Sequence, residues 1–288
     1  MSYHFLDNII RQTQGKLRQH GISEANLDAK ILVEWATGTN LSDRILRPNM
    51  RLSSRQITQL EKAVKRRISG EPVYRIIGTR EFYGISFALS RDTLEPRSDT
   101  ETLVDLVLPI LQKCVQKFKK TTFLDMGTGT GAIAVAVLKQ ISEAYATAVD
   151  ISEDALKTAT KNAENANVEE RFTPLLSDWF ELVTERFDLV ISNPPYIPEK
   201  DIKNLAKEVR EYDPLCALIG GKDGLNFYRK LAQESAYYLK PKGYVAVEIG
   251  YSQTKEVRNL FEKNGFKYLE MRKDLSAIPR ALLFRSNS

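Results

Sequence analysis

Histidine is almost missing from this chain of 288 residues: His4 and His20, both near the amino terminus, are the only two. That argues against a histidine base or a histidine-held metal beside any later motif, and so against most hydrolase and metalloenzyme schemes. Cysteine is equally scarce. Cys114 and Cys216 lie far apart and offer no zinc spacing, redox pair or disulfide framework. No apolar run approaches the roughly 18 residues that span a bilayer. Residues Met1 to Asp7 have neither a basic start nor a long apolar core. The expectation is a cytoplasmic protein that is not associated with a membrane. A Gly-Lys-Ser/Thr run is also absent, which excludes a nucleoside triphosphate loop. Lys plus Arg number 42 against 37 for Asp plus Glu, a net charge of +5. Such mild basicity suits a partner bound to nucleic acid, but a solvated basic face is its commoner meaning.

The order of elements is informative. Residues 1–72 read as helical, with Ile9, Ile10 and Leu17, then Leu27, Ile31, Leu32 and Trp35, then Ile57, Leu60, Val64 and Ile68 at helical spacing. The other face of the third helix carries Lys62, Lys65, Arg66 and Arg67, a solvated face or a docking surface for an acidic partner or RNA. Residues 73–77 and 85–89 are strand-like, which predicts a β-hairpin linker over residues 73–95. The loop Glu95-Pro96-Arg97-Ser98-Asp99-Thr100-Glu101 then leads into an apolar helix over 103–111. Beyond residue 120 strands and helices alternate, as in a doubly wound α/β sheet. Residues 267–271 and 281–285 lack a helix between them, which predicts a terminal antiparallel hairpin. The expected domains are thus 1–72, a linker 73–95, and 96–288.

Gly127-Thr128-Gly129-Thr130-Gly131 joins the first strand (121–126) to its helix, permitting a tight turn and close backbone approach by a ligand. The run also fits a dinucleotide fingerprint, so alone it does not choose a ligand. Asp125 puts a carboxylate beside the turn, which disfavours pyrophosphate and suits a cationic ligand such as a sulfonium. Asp150 ends the second strand, where a carboxylate can accept from both ribose hydroxyls. Asp178 and Trp179 follow the third strand and offer an acceptor for an adenine amine and a ring for its base. Asn193-Pro194-Pro195-Tyr196 follows the buried strand 187–192. Two prolines cannot extend a ladder and have nearly fixed φ angles, so the loop is stiff and leaves carbonyls unpaired. Asn193 and Pro194 can offer acceptors to an –NH2 group while Tyr196 covers a flat substrate.

With these motifs the chain resembles the HemK/PrmC group, the peptide-chain release factor glutamine N5-methyltransferases. The resemblance rests on residues 78–84, 95–101, 124–132, 177–180, 192–197, 208–210, 220–228 and 248–251. The Asn-Pro-Pro-Tyr loop alone is shared with DNA adenine methyltransferases; the combination with a helical amino-terminal domain is more specific. The resemblance implies a class I S-adenosylmethionine-dependent methyltransferase domain, preceded by a small helical domain that recognises the substrate. It implies that the turn 127–131, Asp150 and Trp179 bind S-adenosylmethionine, which leaves as S-adenosylhomocysteine, without a metal. Asn193 lies between cofactor and substrate in that scheme, and Asn193, Pro194, Pro195 and Tyr196 hold the glutamine side chain. Asn193, Pro194 and Tyr196 are the expected catalytic set. A release factor is the expected partner of a monomeric enzyme, with no nucleic-acid substrate. One departure is Ser98, where the family loop has a second proline, and a less rigid loop is expected there.

Overall fold

The computed structural model describes residues 5–288, so His4 lies outside the described residues. Backbone packing divides the chain into two units, one ending at Thr79 and one spanning Arg80–Ser288. Among the described residues, no helix is long and apolar enough to cross a membrane.

The first unit consists of α1 (Leu6–Gln19), α2 (Ala25–Thr37), α3 (Leu41–Leu46), α4 (Ser54–Ile68) and α5 (Val73–Ile77). Leu6, Leu17, Leu32, Val33, Leu60 and Val64 fill its core; the helical spacing predicts Leu17, Leu32, Leu60 and Val64 there, whereas Leu27 and Trp35, predicted on the same apolar face, are exposed. Helix α4 begins with a capping box: Ser53 Oγ accepts from the Gln56 N–H at 3.3 Å, and Gln56 Oε1 accepts from the Ser53 N–H at 2.9 Å. Two further expectations fail here. Residues 73–77 form a helical turn, not a strand. Pro72 sets φ at −59° before it, Gly78 closes it in the left-handed region at φ 79°, and Val73 and Ile76 are buried. Five residues are too few for period alone to separate helix from strand. Arg67 is not on the basic face of α4. Its side chain is buried, and Arg67 Nε donates to Asp28 Oδ2 at 2.6 Å, bringing together residues 39 apart.

From Arg80 the second unit continues the hairpin of β1 (Thr79–Phe82) and β2 (Ile85–Ala88), turned by Tyr83 at φ 52° and Gly84 at φ 72°. Two consecutive positive φ angles give the turn whose twist matches paired strands. Helix α6 (Glu101–Phe118) precedes β3 (Thr121–Met126), α7 (Ala132–Gln140), β4 (Ala144–Asp150), α8 (Glu153–Asn165), β5 (Phe172–Leu176) and β6 (Phe187–Ser192). Then come α9 (Lys207–Tyr212), α10 (Asn226–Glu234), β7 (Leu239–Glu248), α11 (Thr254–Lys263), β8 (Phe266–Lys273) and β9 (Pro279–Ser286). The sheet order is β5-β4-β3-β6-β7-β9-β8. Strands β3 to β7 run parallel, while β9 is antiparallel to both β7 and β8. The terminal hairpin is therefore present, with its second strand inserted inside the sheet.

Both faces are covered. Phe123, Leu189 and Ile191 pack with Leu103, Val107 and Val135 on one side. Leu124, Val190 and Val245 pack with Tyr228, Leu231 and Phe261 on the other. Alternate residues of one strand thus serve opposite cores, which explains the continuous apolar runs. Strand order reverses between β3 and β6, and open α/β sheets hold ligands at the carboxyl edge of that reversal.

The buried Arg67–Asp28 pair makes the first unit sensitive to loss of either partner. Asp28→Ala should destabilise that unit by about 3–5 kcal/mol, because a buried guanidinium loses its counter-charge. Urea unfolding followed by Trp35 fluorescence, in a Trp179→Phe background, checks this; an unchanged midpoint would refute it.

Candidate active site

A cavity of about 310 Å³ opens at the carboxyl edge of β3, β4 and β6. Gly127, Thr128, Gly129 and Thr130 form one wall, joined by Asp150, Asp178, Trp179, Asn193 and Pro195. The turn reverses sharply, with φ at 72°, 56° and 78° for Gly127, Gly129 and Gly131. Its first two amides donate to the Val149 carbonyl, both at 2.9 Å, which anchors the turn to β4. Asp150 holds its middle: Oδ2 accepts from the Gly129 N–H at 2.8 Å, while Oδ1 accepts from the Ser152 N–H at 3.0 Å. Burial raises the Asp150 pKa, and those backbone donors oppose the shift. Ser152, not Asp150, caps α8.

Trp179 adopts a left-handed backbone at φ 56°, and its ring stacks on Phe227 at 4.8 Å with 18° between planes. Asp178 remains exposed, 3.9 Å from Lys230 Nζ. Asp125 is placed differently from the sequence reading. It is fully buried behind the turn, off the cavity wall, and Oδ2 accepts from Thr128 Oγ1 at 2.7 Å. Desolvation pushes its carboxyl up to about 6. Its position inside β3 turns the side chain into the protein, so Asp125 braces the turn from below. Gly131, Pro194 and Tyr196 also lie off the wall.

The Asn193 loop is held from several sides. Asn193 Nδ2 donates to Thr100 Oγ1 at 3.2 Å, which leaves Oδ1 as the acceptor end of the amide. Pro194 is buried. The Tyr196 carbonyl accepts from Gln253 Nε2 at 3.1 Å, and its hydroxyl lies 3.5 Å from Glu248 Oε1. Ile197 and Leu218, then Gly220 and Ile197, exchange backbone bonds at 2.9 and 2.8 Å. The 95–101 loop is tied down as well: Arg97 Nη2 donates to Asp213 Oδ2 at 2.7 Å, and Glu101 Oε1 accepts from the Tyr83 N–H at 2.8 Å. Ser98 opens a short 3-10 turn, Ser98–Thr100, so the expected loosening is countered by these ties. Sequence reasoning gave no individual role to Thr100, Phe227 and Glu248. For Glu248 a signal existed, since a carboxylate ends the apolar run Val245-Ala246-Val247 just as Asp150 ends its own strand.

Such a sheet, with a glycine turn facing an amide-bearing loop at its point of reversal, is a class I S-adenosylmethionine-dependent methyltransferase. Residues 8–78 match the PrmC N-terminal domain family and residues 100–211 the methyltransferase small domain family. A release factor glutamine methyltransferase from Agrobacterium fabrum is 42% identical over 94% of this chain and 93% of its own length. One from Caulobacter vibrioides is 40% identical over 93% and 92%. The crystal structure of a ribosomal protein L11 methylase from Lactobacillus delbrueckii subsp. bulgaricus shares the fold at 19% identity, with a TM-score of 0.50 over 68% of this chain and 82% of that one. The chain belongs to the release factor glutamine methyltransferase family.

Gly224 sits under this loop at φ +77°, and a Cβ there would collide with the Tyr196 carbonyl. Gly224→Ala should therefore shift the loop and lower methyl transfer by about 10²-fold, as misplacement by an ångström does. S-adenosylmethionine affinity should stay near wild type. Steady-state turnover beside calorimetry checks the split, and equal losses in both would refute it.

Proposed function

We propose that this chain transfers a methyl group from S-adenosylmethionine to N5, the side-chain amide nitrogen of the glutamine in the Gly-Gly-Gln motif of peptide-chain release factors. One observation carries the reading: Asn193 and Pro195 line the same cavity as the glycine turn and Asp150. A methyl donor on the turn and an amide on the loop would share one enclosed space. The residues fit this donor. Asp150 would take the ribose hydroxyls, Trp179 backed by Phe227 would cover the base, and Asp178 would accept from its amine. S-adenosylmethionine supplies an electrophilic methyl group and leaves as S-adenosylhomocysteine.

An amide nitrogen is a weak nucleophile because its lone pair is delocalised into the carbonyl. Asn193 Oδ1 and the Pro194 carbonyl accept the two N–H bonds of the substrate amide in this scheme. They orient its nitrogen and stabilise the positive charge that develops there. The fixed φ angles of Pro194 and Pro195 set these acceptors before substrate arrives. Tyr196 anchors the far end of the loop. The proton can leave after transfer, so no strong base is needed, and the shortage of histidine is accommodated. Recognition of a folded protein needs a second surface, which we assign to the helical unit, where Lys62 and Lys65 are exposed.

Mass spectrometry of a release factor after incubation with enzyme and S-adenosylmethionine should find one added methyl, on the Gly-Gly-Gln glutamine. Methylation elsewhere, or none, would overturn the reading. Asn193→Ala should lose turnover by about 10²–10³, the cost of one preorganised polar group, with smaller change in cofactor affinity.

Asp150→Ala should weaken cofactor binding by roughly 10- to 150-fold, the worth of a charged hydrogen bond. Unchanged binding by calorimetry would remove Asp150 from the ribose site.

A further inference from the structure

Two acceptors can aim at one substrate nitrogen only if the loop that carries them is fixed at both ends. The sheet fixes the amino end of the Asn193 loop. Ser192 pairs with Met126 and with Val247, and its hydroxyl donates to the Met126 carbonyl at 2.8 Å. The carboxyl end, at Tyr196 and Ile197, lies beyond the last residue of β6. There the loop is laid along a second segment. The Ile197 N–H donates to the Leu218 carbonyl at 2.9 Å, the Gly220 N–H to Ile197 at 2.8 Å, and the Glu199 N–H to Gly221 at 3.0 Å. Residues 193–198 and 218–225 belong to no helix or strand, so these bonds join one irregular segment to another. Something must tie the pair to the rigid body.

Gln253 makes that tie. Its backbone belongs to the frame: it caps α11, and its carbonyl accepts from the N–H of the buried Val257 at 3.0 Å. Just before it, the Ile249 N–H donates to the Arg280 carbonyl of β9 at 2.8 Å. A primary amide offers two donors and an acceptor, and Gln253 uses all three. Oε1 accepts from the Gly250 N–H at 2.9 Å, while Nε2 donates to the Tyr196 carbonyl at 3.1 Å and to the Gly224 carbonyl at 3.3 Å. Reversal would set its oxygen against two carbonyls and its NH2 against an N–H, so the partners agree on one sense. Packing is close around it. A Cβ on Gly250 would lie 2.8 Å from Gln253 Oε1 and 2.9 Å from Tyr196 Cδ2.

We infer that Gln253 is a positioning residue for methyl transfer: by donating to the Tyr196 and Gly224 carbonyls together, it clamps the carboxyl end of the Asn193 loop to the frame of β7 and α11. Gln253 does not itself line the cavity and acts through the loop. With φ nearly fixed at Pro194 and Pro195, few free torsions separate the clamped carbonyl from that of Pro194. A shift at Tyr196 therefore passes to the acceptor. The inference rests on the acceptor roles proposed above for Asn193 and Pro194.

The test measures steady-state turnover of Gln253→Glu and Gln253→Met on an intact release factor, beside calorimetry with S-adenosylmethionine. Gln253→Glu keeps the length, the shape and the acceptor for Gly250, but sets an oxygen against two carbonyls. It should lower kcat by about 10- to 100-fold, as misplacement of a reacting group does. Gln253→Met removes the donors without that repulsion and should lose less, about 3- to 10-fold. In both, KM for the release factor and cofactor affinity should stay within about twofold of wild type, because only alignment is lost. Wild-type kcat in Gln253→Glu overturns the inference, since that variant differs from wild type in the donor and hardly in shape. A loss shared equally between kcat and cofactor affinity overturns it too, as the mark of general loosening. If Gln253→Glu does not fold, Gln253→Met decides, and wild-type kcat there overturns the clamp. Asn193→Ala, measured alongside, separates the two readings. Its full activity would sink the acceptor roles, whereas its loss beside an unaffected Gln253→Glu would sink the clamp alone.

Discussion

The pairing of Met126 with Ser192 is the constraint on which the site depends. These residues end two adjacent parallel strands, and Ser192 Oγ reinforces their register by donating to the Met126 carbonyl at 2.8 Å. The next residue on each strand is Gly127 on one side and Asn193 on the other. A turn that admits close backbone approach and a side chain that offers an acceptor thus emerge together. The helices wrapped on both faces leave this edge as the place where ligands can enter. A one-residue slip would send every side chain of the strand to the opposite face and separate the two motifs. The apolar cores on both sides of the sheet hold that register.

Behind the cavity, the protein tolerates carboxylates that it could have avoided. Asp125 and Glu248 are both buried, and desolvation raises each, to about 6 and about 7. For a carboxyl raised in this way, folding is favoured below its unfolded pKa and the advantage is lost as pH climbs through the folded value. Near neutrality both groups therefore work against stability. Asp125 Oδ2 accepts from Thr128 of the glycine turn, and Glu248 Oε1 lies 3.5 Å from the Tyr196 hydroxyl of the Asn193 loop. Stability given up in the core is concentrated where orientation matters most.

The architecture was legible because its signals are local. The strand over 121–126, the helices over 132–140 and 153–165, and the glycine turn between them were visible as period and punctuation. Arg67 was not. A charge in a basic run reads as solvated unless its partner, Asp28, is known to reach it from 39 residues away. Residues 73–77 failed for a different reason, since a single turn between Pro72 and Gly78 carries too little periodicity to classify. Asp125 was noticed for its nearness to the turn, but nearness along the chain does not report which way a strand residue points. Thr100 and Asn193 meet across 93 residues, and no spacing rule links them.

Strand β9 lies between β7 and β8, although it follows both in the chain. The ribosome therefore delivers the parallel half of the sheet first and the piece that joins β8 to it last. Until β9 arrives, β7 has an open edge and β8 has nothing to pair with. Arg280, whose charge favours the ionised Glu248 carboxylate, travels on that same late strand. The electrostatic setting of the site is thus finished only when the sheet itself is closed, so a nascent or clipped chain could hold the glycine turn and the Asn193 loop while lacking the charge balance between them.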